Sequence, residues 1–164
     1  MFAALIAAAT AFIKIPAPIG YAHAGDSMVC LAACMLPAPL SFIAAAVGGA
    51  LADVLSGAAV WALPTALIKA LNVLPFFAAR LLLQKRHKDD KILRLPIWTA
   101  LPVTAGVTVG GYYLASALLY GSAAAVAEIP FNAMQALIGA VLFVALAFAL
   151  DAVKAKQRLV PGGK

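Results

Sequence analysis

The 164-residue chain is 65% hydrophobic and 11% charged, with mean hydropathy +1.03, whereas a soluble domain is about half apolar and about a quarter charged. This excludes an ordinary soluble protein and points to an all-α membrane protein forming one domain over residues 1–164. The net charge of +6 is concentrated in Arg80, Lys85, Arg86, Lys88, Lys91 and Arg94 and again in Lys154, Lys156, Arg158 and Lys164; bases flanking apolar spans follow from positive-inside bias rather than nucleic-acid binding.

In chain order the apolar runs predict six spans, at about 1–14, 26–36, 39–56, 63–84, 96–120 and 129–153. A crossing helix needs about 20 residues, so the first two are short. The first is Ala-rich: Ala3, Ala7 and Ala11 share one face, with Ala4 and Ala8 beside it. Small residues let helices approach closely, and a continuous small face at the N-terminal end suits docking on another protein's helices. A rival reading takes this segment as a signal peptide cut near Ala22-His23-Ala24, but nothing before Lys14 is basic, as a leader requires. A polar turn from Gly20 to Asp26 opens the second span. Its two cysteines, Cys30 and Cys34, lie four apart on one helix face, a poor geometry for a disulfide, and read as small apolar fillers.

The third span repeats Ala44, Gly48, Ala52 and Ser56 at spacing four and carries Asp53. After Trp61 the fourth carries Lys69 and Asn72. A charge inside a span is costly and is usually paired or functional, so an ion pair between Asp53 and Lys69 is expected across the third and fourth spans. The fifth holds a GxxxG at Gly106 and Gly110, then Tyr112 and Tyr113. Glu128 precedes the sixth, which opens with Asn132 and Gln135.

Bases at 85–95 and 154–164 place both segments, and with six spans both termini, in the cytoplasm. The outer loops are then 15–25, 57–62 and 121–128. Nearly every polar group inside the spans falls in the outer half. This predicts a binding pocket open to the outside, formed by His23, Trp61, Tyr112, Tyr113, Asn132 and Gln135 with Glu128 at its rim. Aromatic rings there can stack on a flat heterocycle while amides read its edge; the same aromatics also serve as anchors at membrane interfaces.

The chain has no GxxxxGK[ST] phosphate loop, no HExxH and no paired CxxC. Catalytic, metal and cofactor groups are accordingly expected to be absent. The competing classes are a small integral membrane enzyme, which would have to use Asp89, Asp90 and His87 in the basic loop, and a self-associating channel, which would need a polar stripe through the full depth.

Four segments in order carry a family resemblance: the GYxHxGDS turn (Gly20, Tyr21, His23, Gly25, Asp26, Ser27), GGALADVLSG from Gly48 to Gly57, WALPTALIKAL from Trp61 to Leu71, and EIPFNAMQALIGA from Glu128 to Ala140. Together they resemble the substrate-binding S component of energy-coupling-factor (ECF) vitamin transporters over nearly the whole chain. The GYxHxGDS form is similar to the subgroup assigned to hydroxymethylpyrimidine, a thiamine precursor, or to pyridoxine-type compounds. The resemblance implies six helices in a bacterial-type plasma membrane and capture of a small vitamin from outside. It implies as partners a membrane-embedded coupling (T) subunit, docked on the alanine face of the first helix, and two ATPase subunits. It also implies a loop at 14–25 that covers the pocket, and toppling of the whole component in the lipid bilayer as the transport step.

Overall fold

The computed structural model describes residues 1–16, 21–85 and 91–159. Gly20, Arg86, His87, Lys88, Asp89, Asp90 and Lys164 lie outside the described residues. Helix α1 (Phe2–Phe12) leads into a two-stranded antiparallel hairpin, β1 (Lys14–Pro16) and β2 (Tyr21–His23), in which Lys14 pairs with His23 and Pro16 with Tyr21. Helices α2 (Gly25–Met35), α3 (Ala38–Leu55), α4 (Ala62–Leu71), α5 (Val73–Lys85), α6 (Leu95–Tyr120), α7 (Ser122–Ala152) and the short α8 (Ala155–Leu159) follow.

The boundaries follow from the backbone chemistry of a few residues. α2 opens with Asp26 in its first turn, where a carboxylate suits the helix dipole. It stops at Leu36, extended at φ −93° and ψ 156°, because the next residue is Pro37 and a residue before proline avoids the helical region. α3 ends at Ser56 and Gly57, the latter at φ +76°, which glycine adopts without a Cβ penalty. Pro75 supplies no N–H for the Leu71 carbonyl, so the expected fourth span breaks at Asn72 into α4 and α5. With the preceding 3₁₀ turn (Ala59–Trp61), these two pieces still make one apolar run, Ala59–Lys85.

Four runs are long and apolar enough to cross a membrane: Ala38–Leu55, Ala59–Lys85, Leu95–Tyr120 and Ser122–Ala152. The other two predicted spans are the 11-residue helices α1 and α2. The last span begins earlier than expected. Residues 122–128, read from the sequence as loop, are helical, and Gly121 at φ +90° alone joins α6 to α7.

Short connections run the helices up and down. One end of the bundle holds the hairpin, the Gly57 turn and Gly121. The other holds residues 91–94 and α8, fastened where Asp151 accepts hydrogen bonds from the backbone N–H of Ile92 (2.7 Å) and Leu93 (2.8 Å). α2 sits centrally, packed on α1, α3, α5 and α7. The apolar core gathers around it toward the opposite end from the hairpin: Val29, Cys34, Phe76, Leu83, Ile97 and Phe143 are all buried, and the Phe76 and Phe143 rings meet edge to face at 5.4 Å.

α1 lies on α3 through small residues on both sides. A Cβ added to Gly48 would fall 2.7 Å from the Ala3 carbonyl oxygen and 2.8 Å from Ile6. Ala7 and Ala11 are buried against Ala52. Ala3, Ala7 and Ala11 are therefore used inside the molecule, contrary to the expectation of one continuous docking face; Ala4 and Ala8 are exposed. The GxxxG of α6 differs in the opposite way. Small residues at this spacing suit a helix contact, yet nothing among the described residues lies within 4 Å of a Cβ built on Gly106 or Gly110.

Candidate functional site

At the hairpin end, the buried polar groups converge on Asp26. Lys69 Nζ donates to Asp26 Oδ1 in a fully buried ion pair. Gln135 Nε2 donates to Asp26 Oδ2 at 3.0 Å. Two glycines permit this convergence. A Cβ on Gly49 of α3 would meet the Lys69 Cγ at 3.0 Å, so the lysine stem crosses α3 where no side chain stands. A Cβ on Gly139 of α7, one turn beyond Gln135, would lie 2.7 Å from Asp26 Cβ, so α2 and α7 touch backbone to side chain there.

Lys69, expected to pair with Asp53, pairs with Asp26. α3 and α4 are antiparallel, and Gly49 faces both Thr65 and Lys69. Asp53, one turn farther toward the hairpin end, is therefore level with the start of α4 and not with Lys69. Asp53 is itself buried, at 4% exposure.

Aromatic groups line the next layer. The Lys69 ammonium lies 5.4 Å from the Tyr112 ring centroid, within cation–π range. Tyr112 donates its hydroxyl to Thr65 Oγ1 at 3.2 Å. Trp61 stands 5.9 Å from Tyr112 and 5.9 Å from Tyr120. Tyr113, expected in the same pocket, is half-exposed; neighbours on a helix point about 100° apart, and with Tyr112 turned inward Tyr113 is turned out of the cluster.

On α7, Glu128, Asn132 and Gln135 fall at i, i+4 and i+7, one face of a helix, and all three are buried. β2 packs on this helix. The Nδ2 of Asn132 is buried and has no hydrogen-bond partner among the described residues. His23, at the end of β2, is buried, and its Nδ1 accepts the Gly25 N–H at 3.2 Å. Burial, and then the nearby positive charge of Lys69, lower its pKa from 6.5 to about 3, so the ring is neutral.

Away from the hairpin, the cluster continues into a narrow cleft between α2, α6 and α7, where Asp26, Cys30, Thr104, Thr108 and Ala136 surround about 10 Å³, the scale of one water molecule. Asn72 stands behind it: its Nδ2 donates to Thr108 Oγ1 at 2.9 Å, and Thr104 Oγ1 donates to the Asn72 carbonyl at 3.5 Å. Among the described residues no group of His, Cys, Asp and Glu is arranged to hold a metal ion.

The sequence reading placed His23, Trp61, Tyr112, Glu128, Asn132 and Gln135 at this end but missed the hub. Asp26 stands in the quoted turn, but the sequence reading gives Lys69 to Asp53, the acid inside the neighbouring span. The arrangement offers one charge pair, two stacking aromatics and an amide donor. It suits reversible binding of a flat polar molecule.

Comparison with curated proteins gives no match. The family model described as ECF-type riboflavin transporter, S component, matches residues 1–152, which include every element of the cluster. The chain therefore belongs to the ECF-type riboflavin transporter S component family.

Proposed function

We propose that this chain captures a small, flat, one-ring vitamin or vitamin precursor from outside the cell, of the hydroxymethylpyrimidine or pyridoxine type. As a member of an S-component family it is the substrate-binding subunit of a membrane transporter and not an enzyme. The ATP-driven step falls to partners, the coupling (T) subunit and two ATPase subunits. Lys85, Lys91, Arg94, Lys154, Lys156 and Arg158 stand at the end opposite the hairpin. Positive-inside bias makes that end cytoplasmic, with both termini, in a six-pass arrangement in the cell membrane, so the hairpin end faces the outside.

One observation carries the substrate reading: the buried, unpartnered amide donor of Asn132, aligned with Glu128 and Gln135 on α7. A buried donor without an acceptor is costly, and a ring nitrogen or hydroxyl of a ligand supplies one. Trp61 and Tyr112 supply stacking faces, and neutral His23 a second edge contact. The one-ring choice is supported by the GYxHxGDS turn and by the close packing of the cluster. The family model's own description points instead to riboflavin, a three-ring compound.

Native mass spectrometry of detergent-purified protein, offered hydroxymethylpyrimidine, pyridoxine and riboflavin separately, tests the proposal. Retention of a one-ring compound, lost in Asn132→Ala, is the expected result. Retention of riboflavin alone overturns the one-ring reading, and equal retention by Asn132→Ala overturns the site.

A further inference from the structure

The basic residue Arg80 does not belong with the loop that follows it. It is 8% exposed, on α5, well inside the bundle. Its Nη1 donates to the carbonyl oxygens of Ala33 (2.9 Å) and Leu36, at the C-terminal end of α2. The local sequence explains why a donor is needed there. In a continuing helix the Ala33 carbonyl would accept from the N–H of residue 37, but that residue is Pro37 and has none. Arg80 supplies the missing donor and places a positive charge where the helix dipole is negative.

The opposite end of the same helix is also held by a cation from the same broken span. Lys69 of α4 takes Asp26 in the first turn of α2, and Arg80 of α5 takes its last carbonyls. Eleven residues separate the two cations and ten separate Asp26 from Leu36; at about 1.5 Å per residue the two spacings match to within about 2 Å. α2 is thus a rod clamped at both ends by α4–α5. A rod of this length moves as a unit, so fixing its far end fixes the depth of Asp26 under the hairpin.

We propose that Arg80 is a positioning residue for the binding site: by holding the far end of α2 it sets where Asp26, and through it Lys69 and Gln135, present themselves to the ligand. This rests on the reading of the hairpin-end cluster as the binding site. Remote residues of this kind change coupling by roughly 0.5–2 kcal/mol, or about 2- to 30-fold in affinity.

Cys30 and Cys34 lie on α2 and are both buried, which gives a readout of helix position that needs no ligand. Arg80→Met and Arg80→Lys are purified in detergent, checked for helix content and monodispersity, and labelled with N-ethylmaleimide. In parallel, affinity for hydroxymethylpyrimidine, pyridoxine and riboflavin is measured on the folded fraction. In Arg80→Met the expected result is faster labelling of Cys34 and an affinity lowered roughly 2- to 30-fold; Arg80→Lys, which keeps a cationic donor, restores part of both. A purely structural role would lower thermal stability while leaving the folded fraction's affinity unchanged, and that result overturns the proposal. Should Arg80→Met fail to fold, Arg80→Lys decides alone: wild-type labelling with wild-type affinity in a protein of lower melting temperature overturns the proposal, and a lowered affinity with faster Cys34 labelling supports it. If the wild-type protein binds none of the three compounds, the functional reading fails, whereas protected Cys34 in folded Arg80→Met independently removes the clamp.

Discussion

Asp26 and Lys69 are opposite charges held away from bulk solvent, and their value lies in being left together. Removing one partner of a buried pair strands the other and costs about 3–5 kcal/mol, whereas replacing both is far milder. Lys69→Met and Asp26→Asn are each expected to destabilise the protein strongly in SDS titration from mixed micelles, and the double variant by much less than their sum. Asp53→Asn should combine additively with Lys69→Met, since Lys69 pairs elsewhere. His23 adds a pH dependence of definite sign. Its folded pKa of about 3 lies below the unfolded value of 6.5, so below pH 6.5 the unfolded chain takes up a proton that the folded chain refuses. Stability from this group is complete above pH 6.5 and declines as pH falls toward 3. Thermal melts of His23→Gln should show a shallower loss across that interval than the wild type. At this scale the sequence announced which residues were special, because ionisable and amide groups stand out in an apolar chain. It did not announce who pairs with whom, because pairing depends on the relative depth of helices, and a short helix beneath a hairpin lowers Asp26 to the level of Lys69.

Two glycine motifs that look alike in sequence do opposite things among the helices. Gly48 lies where α1 and α3 touch, with the Ala3 carbonyl and Ile6 in the path of any side chain. Gly106 faces open space. Gly48→Ala is expected to lose about 1–3 kcal/mol through overpacking, and Gly106→Ala to be neutral or to gain about 0.5–1 kcal/mol in helix propensity. Their melting temperatures in detergent should move in opposite directions. Spacing-four patterns told that these helices carry small faces and not which faces are occupied. The element boundaries were legible wherever proline or glycine punctuates the chain, as at Leu36-Pro37 and Ser56-Gly57. The start of α7 was not: Glu128 reads as the end of a loop, yet the Ala-rich stretch from Ser122 is already helical, about two turns earlier than expected.

For the whole molecule, the division into an apolar region and a polar region at the hairpin end was visible in the order of residues, since only the connections at that end are poor in bases. Arg80 was the exception, because it adjoins a basic loop in sequence while packing inside the bundle. On the outside of the bundle, Ala4 and Ala8 are exposed after Ala3, Ala7 and Ala11 have been used against α3. They form the part of the first helix available for the proposed coupling subunit. Ala4→Trp with Ala8→Trp is expected to leave ligand retention by the isolated protein unchanged and to abolish co-purification with that subunit; normal assembly in the double variant would remove the docking role.

The unequal lengths of the helices bear on the lipid as well. At about 1.5 Å per residue, the 11-residue α1 covers about 16 Å along its axis and the 31-residue α7 about 46 Å, against a hydrocarbon core of about 30 Å. α7 is therefore longer than the core it crosses, and it must lean or reach past the hydrocarbon at one end. Each ångström of mismatch costs only a fraction of a kcal/mol, so the lean of α7 follows both the acyl-chain length around it and its packing on α2 and α6.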